Sequence, residues 1–249
     1  MPVKLYVIPA SHPSRAAELM LERKGIPFNR VDLVSALHKP VLRALGFPHA
    51  TVPAMKLDGR RIQGSRAIAR ALDIERPDPP LLPADPALRA RVEEAECFGD
   101  EQLQGVPRRL AWWALKRDPS GVRSFLEGSK LPMPTSVAAA TSGPIIAVAV
   151  RLNGATDEAV HADLAGLPGM LDRVDSFIEE GVIGGTEPNA ADYQIATSVR
   201  LLMCFDDLRP LIETRPAGKH ALALVPDFPG RMPPVFTPEQ LALLGAEAA

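Results

Sequence analysis

The feature that most restricts how this chain can fold is a crowd of prolines between residues 75 and 86: Pro77, Pro79, Pro80, Pro83 and Pro86. Proline fixes its own φ and brings no N–H, so a segment this rich in it is a stiff connector and not part of a helix or sheet. The sequence changes character across it. Before the prolines, short β-branched runs alternate with helical patterns. After them, helical patterns continue to the end of the chain with no convincing strand. The 249 residues are enough for two units with cores of their own. The organisation read here is an α/β domain over 1–76, a proline-rich linker over 77–86 and an all-helical domain over 87–249.

The α/β part can be laid out element by element. Residues 3–8, Val-Lys-Leu-Tyr-Val-Ile, are short, mostly apolar and β-branched, as a buried strand should be. Pro9 ends that strand, and Pro13 suits the first turn of a helix, where its missing N–H costs nothing. Ala17, Met20 and Leu21 give the helix an apolar face. Lys24 and Gly25 close it with a cation and a left-handed cap. Residues 26–33 read as a second strand, completing a β-α-β unit with a right-handed crossover. A short helix is predicted over 37–45 and a loop over 46–51. Strands follow at 54–57 and 61–63 around Asp58-Gly59, a strong hairpin signal. Ser65 is placed to cap the next helix, with Ala67, Ile68, Ala71 and Leu72 on its apolar face. The order β-α-β-α-β-β-α is that of the thioredoxin-like fold.

In the helical part, Asp85 is a natural N-cap with Pro86 at the first helical position. Val160, Leu164, Leu167, Leu171, Val174 and Ile178 keep a helical period over 157–180 despite Pro168. Further helices are predicted over 189–205 and 238–244. The most apolar stretch, 137–150, is shorter than the about 20 residues a bilayer requires. It is predicted to be a buried helix, and no membrane partner is expected.

Composition excludes several function classes. The formal net charge is -2 and the pI about 6.2, so no basic excess exists to hold nucleic acid. Cys97 and Cys204 are far apart and form neither a disulfide framework nor a metal spacing; a reducing, cytoplasmic setting fits them. Residues 1–8 lack the long apolar region and cleavage site of a secretory signal. His49, His161 and His220 have no cysteine or carboxylate at metal spacing. Gly218-Lys219 lacks the flanking residues of a phosphate loop, and no Gly-x-Ser-x-Gly elbow occurs.

Three local patterns remain. Thr51-Val52-Pro53-Ala54-Met55 puts a proline at the entry of a strand, where it removes no interior ladder bond and where a cis turn is tolerated. Ser11-His12-Pro13-Ser14-Arg15-Ala16 follows the first strand directly. Gly184-Gly185-Thr186-Glu187-Pro188-Asn189-Ala190-Ala191-Asp192 ends in an N-cap with an acid three residues on, a capping-box arrangement. Together with the run from Val52 to Ser65 (Val-Pro-Ala-x-x-x-Asp-Gly-x-x-Ile-x-x-Ser), these resemble the glutathione S-transferase family, in its theta-like, serine-type form. The resemblance implies a thioredoxin-like glutathione-binding domain followed by an all-α domain. Glutathione would be a co-substrate, with no further cofactor and a small hydrophobic electrophile as acceptor, and the protein would be a homodimer.

The resemblance also implies residue roles. Ser11 would donate a hydrogen bond to the glutathione sulfur. The backbone of Val52, before a cis Pro53, would pair with the cysteinyl part, and Ser65 would meet the γ-glutamyl carboxylate. His12 stands where the theta-like pattern has glutamine, and His38 lies near a histidine that serves the glycyl end. The chemistry is plain: a free thiol has a pKa of about 8.5, and a hydroxyl donor beside a helix N-terminus stabilises its anion. Two positions depart from the pattern. Gly64 replaces the Glu or Gln that usually precedes the serine, with Gln63 one step earlier, and Thr51 replaces a common lysine.

Plainer readings stand beside these. Ser11 and Ser65 can be simple turn or cap residues. His12 can be an exposed loop histidine and Arg15 a surface charge. Trp112 and Trp113, with Leu110, are assigned to the first long helix of the second domain, where aromatics fill core or interface more often than a substrate pocket. Ser11-x-x-Ser14 stands where a thioredoxin has Cys-x-x-Cys, which removes dithiol chemistry. The function expected is glutathione conjugation to hydrophobic electrophiles. The alternatives are a non-catalytic binding protein of the same fold, or a transferase using another low-molecular-weight thiol.

Overall fold

The computed structural model describes residues 3–35 and 37–245. The first two residues of the segment read against a secretory signal and the last four of the helical region lie outside the described residues. Strand β1 (Val3–Val7) is followed by helix α1 (His12–Arg23), β2 (Phe28–Asp32), α2 (His38–Ala44), β3 (Ala54–Leu57), β4 (Arg60–Gln63) and α3 (Ser65–Glu75). The sheet order is β2-β1-β3-β4. β1 and β2 run parallel, while β1–β3 and β3–β4 are antiparallel. Gly25 has φ +58, the left-handed conformation that lets the chain leave α1.

Strand alternation divides the sheet between two cores. Val3, Leu5 and Val7 pack with Ala17, Met20, Leu21, Ile68 and Leu72 in the main core under α1 and α3. Tyr6 points the other way, into a small cluster with Leu33, Leu42, Phe47 and Ala54. Its ring meets Phe47 edge-on, 5.6 Å between centroids. Ala67, expected on the buried face of α3, is exposed; Ser65 and Ala69 are buried instead. The helix begins one residue earlier than a Ser65 cap requires: Gly64 is the N-cap residue and Ser65 the first helical one.

The proline-rich segment is tied down at many points. Lys24 is fully buried, and its ammonium lies 2.5 Å from Asp73. It donates to the carbonyls of Arg76 and Pro79, both at 2.6 Å. Asp73 in turn accepts from the backbone N–H groups of Leu81 (2.8 Å) and Leu82 (3.0 Å). Ala190 N–H donates to Leu81 C=O at 2.8 Å, joining the segment to the helical part.

The helical part contains α4 (Pro86–Phe98), a π-helical turn (Gly99–Leu103), α5 (Gly105–Arg117), α6 (Val122–Phe125), α7 (Thr135–Ala140), α8 (Gly143–Leu152), α9 (Asp157–Glu179), α10 (Ala190–Leu202), α11 (Arg209–Ile212), α12 (Pro216–Leu224) and α13 (Pro238–Ala242). Asp85 caps α4 by accepting from Leu88 N–H. Helix α10 is buried along its whole length and packs against α1, so the two parts share one seam. Its capping box is complete: Asn189 accepts from Ala191 and Asp192, and Asp192 accepts from Asn189 N–H at 2.8 Å. The predicted buried helix over 137–150 is instead the pair α7 and α8, broken at Thr141-Ser142, with Val137 and Val148 exposed. Pro144 explains the break, because it fits the first turn of a new helix but not the interior of one. Trp112 and Trp113 lie on α5, beyond the first long helix α4.

Candidate functional site

The turn from β1 into α1 sets the site. Ser11 N–H donates to Ile8 C=O at 3.1 Å, and Ala10 between them sits at φ 56. A non-glycine residue there costs about 1–2 kcal/mol, and such strain concentrates where geometry serves a function. Ser11 occupies the N-cap position of α1, yet its side chain makes no capping hydrogen bond. Its Oγ instead accepts from Ser14 Oγ, which is buried, at 3.0 Å. Serine has one donor proton, so this contact leaves the Ser11 proton free to point outward.

Ser11 lines a cleft of about 320 Å³ between the two parts of the molecule. Four of the residues singled out in the sequence line it: Ser11, His12, His38 and Val52. The Val52–Pro53 peptide bond is cis. The Val52 backbone makes no hydrogen bond among the described residues. Pro53, Gly64 and Ser65 are outside the cleft lining, but Gly64 N–H donates to Pro53 C=O at 3.0 Å, so α3 starts directly behind the proline. Gly64 has φ 86 and ψ 144, a backbone region that a side chain occupies only under strain. Gln63 is fully engaged: it accepts from His49 N–H and donates to the carbonyls of His49 and Thr51.

His12 corrects the reading of it as an exposed loop residue. It is the first residue of α1 and only 2% exposed. Burial lowers its pKa to about 3, with nearby Arg108 adding to the effect and a hydrogen bond to the Gln104 backbone opposing it. The ring is neutral at ordinary pH, and its Nε2 has no hydrogen-bond partner. His38 is half-buried at the start of α2. Burial, then Lys39, lowers its pKa while the Ala50 backbone opposes, and its Nδ1 is unpartnered. Arg15 is not a free surface charge; it pairs with Glu18 and Glu22, each at 3.2 Å.

Sequence reasoning missed the other wall. Arg108, Ala111, Trp112 and Leu115 form one stripe along α5, joined by Phe125 of α6 and Leu152 of α8. The i, i+4 spacing of Arg108 and Trp112 was the available signal. Trp113, one residue on, turns into the core and stacks on Phe236. The cleft continues into a pocket of about 220 Å³ lined by Leu33, Trp112, Phe125, Met133, Ile145 and Ile146 among others, with no charged residue. Ser11 also lines a polar cavity of about 420 Å³, together with Ser14, Arg15, Glu18, Arg30 and Arg200. Burial raises the Glu18 pKa there, with Arg30 and Arg15 opposing. Among the described residues no group of three or more His, Cys, Asp or Glu is placed to hold a metal, and no helix is long and apolar enough to cross a membrane.

A thioredoxin-like sheet, a proline at the strand entry and a polar helix start beside it meet a sequence match over the same region. Residues 5–80 match the family described as glutathione S-transferase, N-terminal domain. The N-terminal part of the chain is similar to that domain. Similar proteins include a probable maleylacetoacetate isomerase 1 of Drosophila melanogaster, 42% identical over 62 residues, which are 24% of this chain and 25% of that protein. Glutathione S-transferase U6 of Arabidopsis thaliana is 31% identical over 104 residues, 42% of this chain and 47% of the other. The chain thus spans about a quarter to a half of the length of these curated relatives. A glutathione S-transferase of Ceriporiopsis subvermispora, solved in complex with glutathione, superposes with a TM-score of 0.59 at 18% identity, covering 90% of this chain and 96% of that one. At that identity the likeness shows the glutathione S-transferase fold for the two parts together.

Proposed function

We propose that this protein activates the thiol of glutathione in the cleft and transfers it to a small hydrophobic electrophile. The observation that carries the reading is Ser11, a residue of the cleft lining that holds the N-cap position without capping and whose hydroxyl accepts from Ser14, keeping its own proton to donate. A thiolate placed there takes a hydrogen bond from Ser11 and feels the positive end of α1, both of which favour the anion over the thiol. The thiol proton goes to solvent. The sulfur lone pair then forms the new S–C bond, and the leaving group departs with its electron pair or, in an addition, the acceptor takes it up.

Glutathione is held by the groups around that point. The free Val52 backbone, positioned by Pro53, pairs with the cysteinyl unit. Ser65, in the first turn of α3, offers helix N–H groups to the γ-glutamyl carboxylate. His38 and Lys39 face the glycyl end, and His12 supplies a neutral wall beside the sulfur. The apolar pocket beyond Trp112 takes the acceptor. No cofactor is needed. The two cysteines are free and suit a reducing cytoplasm. A homodimer is proposed, and a monomer mass in light scattering would refute it.

Gly64 favours a second reading. It offers no side chain to the ligand's ammonium group, and the Gln63 side chain is already spent on the 49–51 loop. A low-molecular-weight thiol without the γ-glutamyl ammonium would lose little by this, and a protein binding without turnover would lose nothing. The test is calorimetry of glutathione and of other cellular thiols on wild type and Ser11→Ala, alongside turnover with a chlorodinitrobenzene. The conjugation reading expects saturable glutathione binding, a raised pKa of the bound thiol in Ser11→Ala and turnover lower by about 100-fold. No saturable glutathione binding to wild type ends it.

A further inference from the structure

The cleft carries cations that no carboxylate of its own lining pairs with. Its lining includes Lys39 and Arg108 and contains no aspartate or glutamate. The two stand on opposite walls: Lys39 on α2 beside His38, Arg108 on α5. Arg108 contrasts with its own neighbour. Arg109 turns away and holds Asp163 through two hydrogen bonds, at 2.5 and 2.7 Å. Arg108 forms no ion pair among the described residues, and its one hydrogen bond is a long one, 3.4 Å, to Gln104. Burial, then Arg109, lowers its pKa, and Asp100 opposes them in part without forming an ion pair with it. An unpaired guanidinium in such a place gains most from an anion brought by a ligand.

The position along α5 says which part of a ligand meets it. Arg108, Trp112 and Leu115 follow one face of the helix. Seven residues at about 1.5 Å rise put roughly 10 Å between the first and last of them. The Leu115 end opens into the uncharged pocket of Phe125, Met133, Ile145 and Ile146. The wall therefore grades from a cation to an apolar socket over the length of a small molecule.

We propose that the acceptor recognised by this protein is an amphipathic organic anion, its carboxylate or similar group bound by Arg108 and its apolar body in the Trp112–Phe125 pocket. This deepens the reading of the cleft as a thiol-transfer site and rests on it for the word acceptor, but not for the anion site itself. Glutathione also carries carboxylates, so the same guanidinium could be claimed by either molecule. Lys39 is the cation on the glutathione wall, which leaves Arg108 to the other ligand.

The experiment uses two unreactive probes of matched shape, 4-phenylbutanoate and 4-phenylbutanamide, titrated by calorimetry at low salt into wild type, Arg108→Gln and Arg108→Lys, with glutathione titrated into each as a separate arm. Wild type is expected to bind the acid about ten-fold more tightly than the amide. Arg108→Gln should bring the two to parity, Arg108→Lys should keep part of the preference, and glutathione affinity should stay within two-fold in all three. Unfolding midpoints are expected to match, since Arg108 makes only the Gln104 contact. The proposal is overturned if wild type shows no saturable binding of the acid or no preference for it. It is equally overturned if the preference survives in Arg108→Gln, or if that variant loses glutathione instead. An intact acid preference in a protein that binds no glutathione would retain the anion site and remove the thiol-transfer reading.

Discussion

On one side of the cleft the surface belongs to the thioredoxin-like domain: Ser11 at the mouth of α1, the free backbone of Val52, and His38 at the start of α2. On the other side it belongs to the helical domain: Arg108, Trp112 and Phe125, backed by the short helices α7 and α8. The first wall works through turns and helix starts, whose N–H groups and hydroxyls are aimed by the backbone. The second works through the bulk and charge of side chains on helix faces. A wall made of backbone geometry suits the invariant part of a reaction, holding one thiol in one pose. A wall made of side chains can select among acceptors without disturbing that pose.

The largest way to break this comparison is to separate the walls. Lys24 ties α1 to Asp73 and to the carbonyls of the proline segment, and Leu81 in that segment receives the start of α10. Lys24→Ala leaves Asp73 without its cation and is expected to cost about 3 kcal/mol of stability, measured by urea denaturation. A loss below about 1 kcal/mol, the scale of a single ordinary hydrogen bond, would show that the segment is not the joint described here.

The next effect tests the seam through pH. His12 has a folded pKa of about 3, against an ordinary value of about 6.5. Between those values the unfolded chain binds a proton that the folded one refuses, so stability falls as pH drops below about 6.5. Lowering the pH from 6.5 to 5 is expected to remove about 2 kcal/mol through this residue. His12→Gln should lose that much less than wild type over the same interval. Equal losses in the two proteins would mean that His12 is hydrated.

The smallest effect sharpens the division of labour. Trp112→Ala is expected to weaken 4-phenylbutanamide binding about ten-fold, the equivalent of a partly buried aromatic face. Glutathione affinity should remain within two-fold. A parallel loss of both ligands in calorimetry would show that the walls do not act separately.

The first wall was legible in the sequence because its signals are local. Pro53 before a strand, Asp58-Gly59 between two strands and Pro13 in a first helical turn each act through the φ, ψ or N–H of their own residues. The capping box of Asn189 and Asp192 was legible for the same reason. Failures came where burial decides. His12 reads as a loop residue until Gln104 and Arg108 come up beside it and bury it. Ser65 reads as a cap until Gly64 is seen to take that position at φ 86. The second wall was not legible, because Arg108 and Trp112 share a face only once α5 exists, and Ile145 and Ile146 reach them only once residues 137–150 break into two helices.

The amino-acid sequence by itself determined the change of character at the prolines, the order of strands and helices before them, and the likeness of residues 5–80 to a glutathione S-transferase N-terminal domain. Turn chemistry, capping and hydrophobic period are properties of neighbouring residues, so they survive without a fold. The tertiary structure alone decided which hydroxyl is spared from capping, which histidine is stripped of water and which arginine forms no ion pair among the described residues. Those depend on what distant segments bring into contact, and desolvation and pairing exist only after they have met.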